Sequence, residues 1–257
     1  MKDWNPDLYL KFKNERAQPS IDLVSRIHTN YSPTSIIDIG CGPGNSSQVL
    51  VERWPDVKVV GLDNSPSMIE KAKQDYPGQE WILADAAQFV ADMKFDILFS
   101  NATIQWVPDH AELIRKFRDM LSDRGLLAVQ IPLFWDMPLG KAIKQVASEA
   151  RWNKLTTGVS ELLTIRNPSF YYNELAKYFN SIEMWVTDYI HVMESHMAIL
   201  EMISSTGLRP YLDRLENDEK RQSFENDVLA QIKINYPVQE NGNVLFPFKR
   251  LFFIGSN

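Results

Sequence analysis

Short runs of apolar residues alternate with helical patterns over the first half of the chain. Five of these runs predict β-strands, at residues 35–39, 58–62, 80–84, 95–100 and 125–131. The segments between them carry apolar residues every three or four positions, which is typical of amphipathic helices. These predicted helices lie at residues 46–54, 67–75 and 111–121. The first 30 residues also predict helix, because Trp4, Leu8 and Phe12 are four positions apart.

The predicted strands are apolar on both faces, as in Ser35–Ile39 and Gly125–Ile131. Strands of this kind, separated by helices, are typical of a parallel sheet that helices cover on both sides. Right-handed crossovers between successive strands then produce a doubly wound α/β fold.

The pattern changes after about residue 138, where helical segments continue to Asn180. A strand is predicted at Ile182–Val192, a helical stretch at Ser195–Tyr236 and a last strand at Val244–Ile254. We expect the last two strands to close the sheet as an antiparallel hairpin, with the helical stretch inserted between them.

Composition and charge narrow the class of protein. The 257 residues are 44% hydrophobic and 23% charged, which are globular values, and one domain spanning residues 1–257 is expected. The net charge of −6 and the pI of about 5.3 disfavour a nucleic-acid partner. No apolar run approaches the roughly 18 residues of a membrane span, and no leader is recognisable at the start. We therefore expect a cytoplasmic protein without a membrane partner.

Cysteine and histidine are too sparse to predict a metal centre or a disulfide framework. The single cysteine, Cys41, is expected to be a small packing residue. His191 and His196 are five positions apart, which is a poor spacing for two metal ligands on a helix. We therefore predict no metal site.

A glycine-rich loop is the sharpest chemical signal in the chain. Residues 38–45 read Asp-Ile-Gly-Cys-Gly-Pro-Gly-Asn, after a predicted strand and at the start of a predicted helix. Glycines in such a loop let the backbone turn tightly and approach a ligand closely. Asp63 lies 19 residues beyond Gly44, at the end of the second strand. A carboxylate at that place can accept hydrogen bonds from both hydroxyls of a ribose.

Two ligand classes use this arrangement. A dinucleotide loop requires a third glycine where Asn45 stands, and Asp38 would repel its pyrophosphate. Pro43 also lacks the backbone N–H that could hold a phosphate. A ligand with an ammonium and a sulfonium group suits the acidic loop better, which favours S-adenosylmethionine over a dehydrogenase cofactor. A tight strand–helix turn without a ligand is the remaining alternative.

Two further strand ends carry polar residues. Asp85 is expected to end the third strand, where it could accept a hydrogen bond from an adenine amino group or cap a helix. Asn101 ends the fourth strand and leads to Gln105. Loops at the carboxyl ends of parallel strands bind the ligand in doubly wound folds. The full set of predicted cofactor contacts is Asp38, Gly40, Gly42, Gly44, Asn45, Asp63, Asn64, Met68, Asp85, Ala86, Asn101 and Gln105.

These residues resemble the ordered motifs of class I S-adenosylmethionine-dependent methyltransferases, through Asp38–Gly44, Asp63, Asp85 and Asn101. Further segments resemble one branch of that class, the trans-aconitate methyltransferases. They lie at residues 4–16, 39–46, 101–110, 128–132, 206–210 and 246–252. The resemblance implies a mostly parallel seven-stranded sheet whose last strand is antiparallel, with helical caps at residues 1–30 and 195–240. The implied reaction transfers a methyl group to a carboxylate of trans-aconitate and leaves a monomethyl ester and S-adenosylhomocysteine.

A tricarboxylate substrate needs local positive charge in a protein whose net charge is −6. Arg209 precedes a proline in a predicted turn and could bind a carboxylate through its planar guanidinium. Lys249 and Arg250 point to opposite faces of the last strand, so at least one of them enters an apolar surface and needs an acidic partner. Arg16 on the first helix is a further candidate. Each of these cations could instead be solvated or paired with an acidic side chain of the protein.

Three side chains with polar-tipped rings, Trp106, Tyr172 and His191, are predicted to line the same substrate site. No catalytic side chain is required, because an ionised carboxylate is itself the nucleophile and positioning supplies the catalysis. A methyltransferase for another small-molecule acceptor and a non-catalytic S-adenosylmethionine-binding protein remain alternatives. The oligomeric state stays open.

Overall fold

A computed structural model of the chain describes residues 3, 4, 6, 11–28 and 31–257. Leu8, in the middle of the helical stripe predicted near the start, lies outside the described residues. The later part of that segment forms the first described helix, α1 (Lys13–Arg26), with Leu23 and Val24 buried on its inner face. The helical prediction is therefore confirmed for residues 13–26.

The described residues form seven strands, nine α-helices and three short 3₁₀ helices. The strands are β1 (Ser35–Ile39), β2 (Lys58–Asp63), β3 (Glu80–Leu83), β4 (Phe95–Asn101), β5 (Leu121–Pro132), β6 (Ser181–Met193) and β7 (Val244–Ser256). The remaining helices are α2 (Asn45–Arg53), α3 (Pro66–Asp75), α4 (His110–Met120), α5 (Pro138–Ser148), α6 (Pro168–Leu175), α7 (His196–Ser204), α8 (Arg209–Arg214) and α9 (Asp218–Asn235). Every strand predicted from the apolar runs is present.

The seven strands form one sheet in the order β3-β2-β1-β4-β5-β7-β6. Strand β1 pairs in parallel with both β2 and β4, and the pairs β2–β3 and β4–β5 are also parallel. The chain moves outward from β1 to β3 and then returns to β4 on the other side of β1. This reversal is the topological switch point of a doubly wound sheet, at which such folds bind their ligands. The predicted α/β class and doubly wound, mostly parallel sheet are confirmed.

Local sequence signals explain where the helices begin. Ser65 caps α3 by accepting a hydrogen bond from the Met68 amide, and Pro66 occupies the first turn. Asp109 caps α4 in the same way, by accepting from the Glu112 amide. The apolar stripe of α4 is buried as predicted, including Phe117. Capping residues therefore determine where these helices begin, and the spacing of apolar residues determines which face of α4 is buried.

The chain divides into two compact units by its internal contacts. The sheet unit comprises Asp3–Ile131, Arg166–Val186 and Leu251–Asn257 among its described residues. The helical unit comprises Pro132–Ile165 and Thr187–Arg250. The single domain spanning residues 1–257 stays a prediction.

The helical unit contains the stretch predicted as helical over residues 195–236. The structure divides this stretch into α7, α8 and α9, because a turn over residues 205–208 and the Asn217 cap of α9 interrupt it. Aromatic side chains form part of the core of this unit, with Tyr211 stacked on Phe224 at 5.8 Å between ring centroids. None of the helices formed by the described residues is long and apolar enough to cross a lipid bilayer.

Candidate active site

The glycine loop follows β1 and lies against the end of β2. Gly40, Gly42 and Gly44 all have positive φ angles, of 75°, 55° and 96°. The amides of Gly40 and Cys41 both donate to the Leu62 carbonyl, at 2.6 and 3.0 Å. Residues with a Cβ rarely adopt this backbone conformation, so the loop depends on glycine at these positions.

The space next to the Cα atom differs among the three glycines, and the difference indicates which of them faces a ligand. A Cβ added to Gly40 would meet Thr103, and one added to Gly44 would meet Tyr76 and Trp81. A Cβ added to Gly42 would meet nothing within 4 Å. The backbone at Gly42 therefore borders open space, where a ligand can approach it closely.

Asp38 is a fully buried carboxylate beneath this loop. Its Oδ2 accepts hydrogen bonds from the hydroxyls of Ser46 and Ser47, at 2.6 and 2.7 Å. Its Oδ1 is buried and has no hydrogen-bond partner among the described residues. Burial raises the pKa of Asp38 to about 6, the two serine hydroxyls oppose that rise, and the charge of Asp63 adds to it. One buried oxygen of Asp38 is thus left to accept a hydrogen bond from a ligand.

Helix α2 begins directly after the loop, and no side chain caps its amino end. Its N-cap residue is Gly44, and its first turn contains no acidic residue. Ser46 and Ser47, which stand in that turn, direct their hydroxyls to Asp38 instead. The positive end of the helix dipole is therefore available to an anionic group.

Asp63 ends β2, as predicted, and connects the glycine loop to the start of α3. Its Oδ2 accepts from the Gly42 amide at 2.9 Å and its Oδ1 from the Ser65 amide at 2.8 Å. Burial raises the pKa of Asp63, while these backbone hydrogen bonds lower it. The Asn64 amide also interacts with the carboxylate, so three backbone N–H groups orient it, and a carboxylate has capacity for about four hydrogen bonds. Asn64, beside it, is exposed.

Residues 3 and 4 contact two of the loops at this edge of the sheet. The Asp3 carboxylate accepts from the Ser67 amide at 3.0 Å and from the Ser65 hydroxyl. The ring of Trp4 packs edge-on against Trp106, with 5.5 Å between their centroids. These two residues therefore connect the start of α3 to the loop after β4.

The loop after β4 contains a strained residue. Ala102 has a φ of 52°, and is the one described residue other than glycine with a positive φ. That conformation costs roughly 1–2 kcal/mol for a residue with a Cβ. The Ala102 amide donates to the Gln130 carbonyl at 2.9 Å, and its carbonyl accepts from Gln105 Nε2 at 2.6 Å. Two hydrogen bonds thus hold Ala102 in place immediately after Asn101.

Four predicted cofactor residues carry a buried acceptor atom without a hydrogen-bond partner among the described residues. These atoms are Asp38 Oδ1, Asn45 Oδ1, Asn101 Oδ1 and Gln105 Oε1. Asp38 and Asn101 stand on β1 and β4, which are neighbours in the sheet and pair through Asp38 and Phe99. Asn45 begins α2, and Gln105 lies in the turn after β4. We call these four residues, together with the glycine loop and Asp63, the cradle. Leaving a buried acceptor unpaired is costly, so this edge is suited to a ligand that donates hydrogen bonds and carries positive charge.

Three predicted cofactor residues, Asp85, Ala86 and Met68, are not among the residues of the cradle. Asp85 lies two residues beyond the end of β3 rather than ending it, and is exposed. Its Oδ1 accepts from the Ala87 amide at 2.8 Å, so the capping interpretation describes its observed contact. Ala86 is partly buried beside it, and Met68 is buried on the inner face of α3.

Three substrate candidates belong to the sheet unit. The Arg16 guanidinium lies 5.9 Å from the centroid of the Phe12 ring. Trp106 is partly buried in its contact with Trp4. Tyr172 is 54% exposed on α6, whereas its neighbour Tyr171 is buried. Tyr172 therefore does not point into the sheet unit, because the other face of α6 is the one that packs inward.

Arg250 is the buried cation of the last strand, in the helical unit. It is 5% exposed, and its guanidinium lies 4.4 Å from the centroid of the Phe248 ring. His191 packs near the same ring, at 6.1 Å between centroids. Lys249 is half-exposed, with its Nζ 3.9 Å from Asp188 Oδ2. The prediction that one of the two cations enters an apolar surface is confirmed, and that cation is Arg250.

Arg209 is the first residue of α8, and the predicted turn comes just before it. Its Nε lies 3.8 Å from Asp213 Oδ2, one helical turn away, and both side chains are mostly buried. This ion pair restrains the direction of the Arg209 guanidinium.

Cys41 packs in a buried cluster within the sheet unit. The Cys41 thiol is buried against Trp81, and burial raises its pKa, so it is a packing residue as predicted. Sequence reasoning missed Ser46, Ser47 and Thr103, although the two serines stand in the first turn of a predicted helix. The structure brings no cluster of three or more His, Cys, Asp or Glu together within the part of the chain that it describes.

Comparisons with known proteins agree with this architecture. Residues 37–129 match the methyltransferase domain family. A trans-aconitate 2-methyltransferase from Rhodopseudomonas palustris (strain BisA53) is 38% identical over 257 residues and aligns over 100% of both chains. A second, from Escherichia coli O157:H7, is 38% identical over 254 residues, which cover 99% of this chain and 98% of that one.

Solved structures share the fold at low sequence identity. The YcgJ protein from Bacillus subtilis superposes with a TM-score of 0.61 at 15% identity, over 93% of this chain and 98% of that one. Coclaurine N-methyltransferase, bound to N-methylheliamine and SAH, has a TM-score of 0.61 at 16% identity, over 100% of this chain and 83% of that one. By the full-length identity to its relatives, the chain belongs to the trans-aconitate 2-methyltransferase family of S-adenosylmethionine-dependent enzymes.

Proposed function

We propose that this protein transfers the methyl group of S-adenosylmethionine to a carboxylate of trans-aconitate. The products are a monomethyl ester and S-adenosylhomocysteine. The observation that carries the proposal is the set of four buried acceptors of the cradle, Asp38 Oδ1, Asn45 Oδ1, Asn101 Oδ1 and Gln105 Oε1, which have no hydrogen-bond partner among the described residues. Membership of the family supports the choice of substrate, because its named members act on trans-aconitate.

The residues of the cradle suit the individual chemical groups of S-adenosylmethionine. The open backbone at Gly42 would lie against the cofactor, and Asp63 would accept hydrogen bonds from the ribose hydroxyls. Asp38, Asn101 and Gln105 would accept from the ammonium group. When bound, S-adenosylmethionine supplies an electrophilic methyl group on a positively charged sulfur.

The substrate must be held by cations, since three carboxylates would otherwise be repelled by the acidic protein. Arg209 and Arg250 are the best candidates, because both guanidinium groups are largely buried and can bind a carboxylate bidentately. Lys249 and Arg16 are secondary candidates. Trp106, Tyr172 and His191 stay proposed contacts, with Tyr172 the weakest because it is exposed.

The mechanism requires no general base. A carboxylate is ionised at neutral pH and attacks the methyl carbon with its own lone pair, so the protein does not need to remove a proton. The arginines bind the carboxylates that do not react, and thereby orient the one that does. Alignment of the two reactants can contribute about 7–11 kcal/mol to lowering the barrier. Asp38 and Gln105 contribute by fixing the cofactor.

A methyl-transfer assay tests the proposal directly. The purified protein is incubated with S-adenosylmethionine and trans-aconitate, and mass spectrometry detects the monomethyl ester. Citrate, isocitrate and cis-aconitate are tested in parallel at equal concentration. We expect turnover of trans-aconitate to exceed that of the others. Turnover of a different acceptor only would favour another small-molecule methyltransferase, and cofactor binding without any turnover would favour a binding protein.

A further inference from the structure

His110 is a fully buried histidine behind the loop that follows β4, and the reaction does not use it. It is 1% exposed, at the start of α4. Its Nε2 lies 2.8 Å from the Ile104 carbonyl, and its Nδ1 lies 2.8 Å from the Tyr171 hydroxyl. Both ring nitrogens are thus committed to partners within the sheet unit.

The partners fix the tautomer of the ring. A carbonyl can only accept, so the proton on the ring must be at Nε2, donating to Ile104. Nδ1 is then the acceptor, and the Tyr171 hydroxyl donates to it. The Tyr171 oxygen accepts in turn from the Arg166 amide at 3.3 Å. The network is complete only when His110 is neutral with its proton on Nε2.

The surroundings favour that neutral form. Burial lowers the pKa of His110, and the positive charge of Arg166 lowers it further. The carbonyls of Ile104 and Val107 and the charge of Asp109 act in the opposite direction. Protonation would place an N–H on Nδ1 and deprive the Tyr171 hydroxyl of its acceptor.

The Ile104 carbonyl belongs to the short 3₁₀ helix Ile104–Trp106, and this turn carries Gln105. Gln105 Nε2 donates to the Ala102 carbonyl at 2.6 Å, so the oxygen Oε1 is the free atom of its amide. That oxygen is buried and has no partner among the described residues. The direction in which Gln105 offers its acceptor therefore depends on how the turn is held.

We propose that His110 is a positioning residue for the cofactor cradle: its Nε2–H fixes the Ile104–Trp106 turn, and through that turn it aims Gln105 Oε1 at the cofactor. The proposal rests on the proposed function, since it takes Gln105 to be a cofactor ligand. His110 itself touches neither reactant. The Ile104 carbonyl alone selects the tautomer, and Tyr171 only supplies the donor for Nδ1.

Two variants of His110 separate this role from simple packing. In His110→Gln, the amide nitrogen takes the place of Nε2 and can still donate to Ile104. In His110→Asn, the shorter amide reaches only the position of Nδ1, so the bond to Ile104 is lost. Tyr171→Phe is the control that loosens the same buried network and leaves the bond between His110 and Ile104 intact.

The measurement is the dissociation constant of S-adenosylhomocysteine by calorimetry, with circular dichroism to verify folding. We expect H110N to weaken binding about tenfold, which corresponds to about 1.4 kcal/mol, and H110Q and Y171F to change it less than about threefold. Equal weakening by H110N and H110Q, or wild-type affinity in folded H110N, would overturn the positioning role. Failure of the wild-type protein to bind S-adenosylhomocysteine would instead refute the proposed function.

Nuclear magnetic resonance of the wild-type protein tests the tautomer independently of any variant's stability. The histidines are labelled with nitrogen-15, and His110 is assigned as the ring signal that disappears in H110Q. We expect a neutral ring at pH 7 with the proton on Nε2. A proton on Nδ1, or a doubly protonated ring, contradicts the proposal.

Discussion

The side chain of Thr103 occupies the space that a side chain at Gly40 would need. A Cβ built on Gly40 would lie 2.0 Å from Oγ1 and 2.1 Å from Cγ2 of Thr103. The same Oγ1 lies 3.2 Å from the Gly40 carbonyl and 3.1 Å from the Asn101 carbonyl. Thr103 thus connects the glycine loop to the end of β4. This contact fixes the positions of these two parts of the cradle relative to each other.

The first prediction concerns this contact. Replacing Gly40 by alanine combines a clash with Thr103 and a positive φ, so the free energy of unfolding should fall by about 3 kcal/mol. Denaturant titration followed by circular dichroism measures the change. A double variant, Gly40→Ala with Thr103→Ser, should recover part of the loss, because serine removes the methyl group.

Replacing Gly42 by alanine is the matched control, two positions along the same loop. Its φ of 55° is also positive, but a Cβ there would meet nothing within 4 Å. We expect a smaller loss of unfolding free energy, about 1 kcal/mol, and at least a tenfold weaker affinity for S-adenosylhomocysteine. Calorimetry of both variants gives the affinities. Unchanged affinity in G42A would show that the ligand does not approach this backbone.

The second prediction concerns pH. The folded state binds the Asp38 proton more tightly than the unfolded chain does, since the pKa rises from 3.8 to about 6 on burial. The contribution of Asp38 to the free energy of unfolding therefore falls as the pH rises from about 4 to 6. A cationic ligand stabilises the carboxylate, so cofactor binding should release a proton and become about tenfold tighter between pH 5 and pH 7.

Calorimetry in buffers of different ionisation enthalpy counts the released proton. Asp38→Asn is the control, because the amide oxygen can still accept from the two serines while the titrating group is gone. The pH dependence of cofactor affinity should largely vanish in D38N. Its full retention there would assign the dependence to another group.

The third prediction separates the two adjacent cations of β7. Arg250→Lys keeps the charge but removes the planar group over Phe248, so kcat/KM for trans-aconitate should fall about 10–100-fold. Lys249→Arg, at the half-exposed neighbour, should change it less than threefold. Steady-state kinetics on both variants gives the comparison. Equal losses would contradict the assignment of Arg250 as the carboxylate ligand.

The fourth prediction concerns Arg209. Arg209→Ala should raise the KM for trans-aconitate about tenfold or more and leave the affinity for S-adenosylhomocysteine nearly unchanged. Asp213→Asn is the control, since it removes the charge of the partner 3.8 Å away and retains the arginine. If both variants raise KM equally, the arginine acts only through its contact with Asp213. Loss of cofactor binding in R209A would also contradict its assignment to the substrate.

Much of the fold follows from periodicity alone. Apolar runs predicted all seven strands, and the glycine loop and Asp63 lie at strand ends, because the loops that follow parallel strands all lie at the carboxyl edge of the sheet. The alternation of side chains along a strand also predicted that Lys249 and Arg250 point to opposite faces of the sheet. These features depend on neighbours in sequence, so the sequence is enough to predict them.

Features that depend on distant neighbours could not be predicted in this way. Ala102 carries no glycine signal, and its strain is maintained by Gln130, which stands on another strand. His110 and Tyr171 are 61 positions apart, so nothing local marks them as partners. Tyr171 and Tyr172 are adjacent in sequence and identical in chemistry. Only the packing of α6 determines which of them is buried.

The uncapped amino end of α2 has a consequence for which cofactor analogues the protein will accept. The amino-acid portion of S-adenosylmethionine is a zwitterion. In the proposed binding mode, the buried acceptors of the cradle would accept hydrogen bonds from its ammonium, and the helix dipole would attract its carboxylate. Decarboxylated S-adenosylmethionine retains the first attraction and loses the second. In the proposed binding mode, the start of this one helix would therefore let the protein discriminate the methyl donor from its decarboxylated derivative.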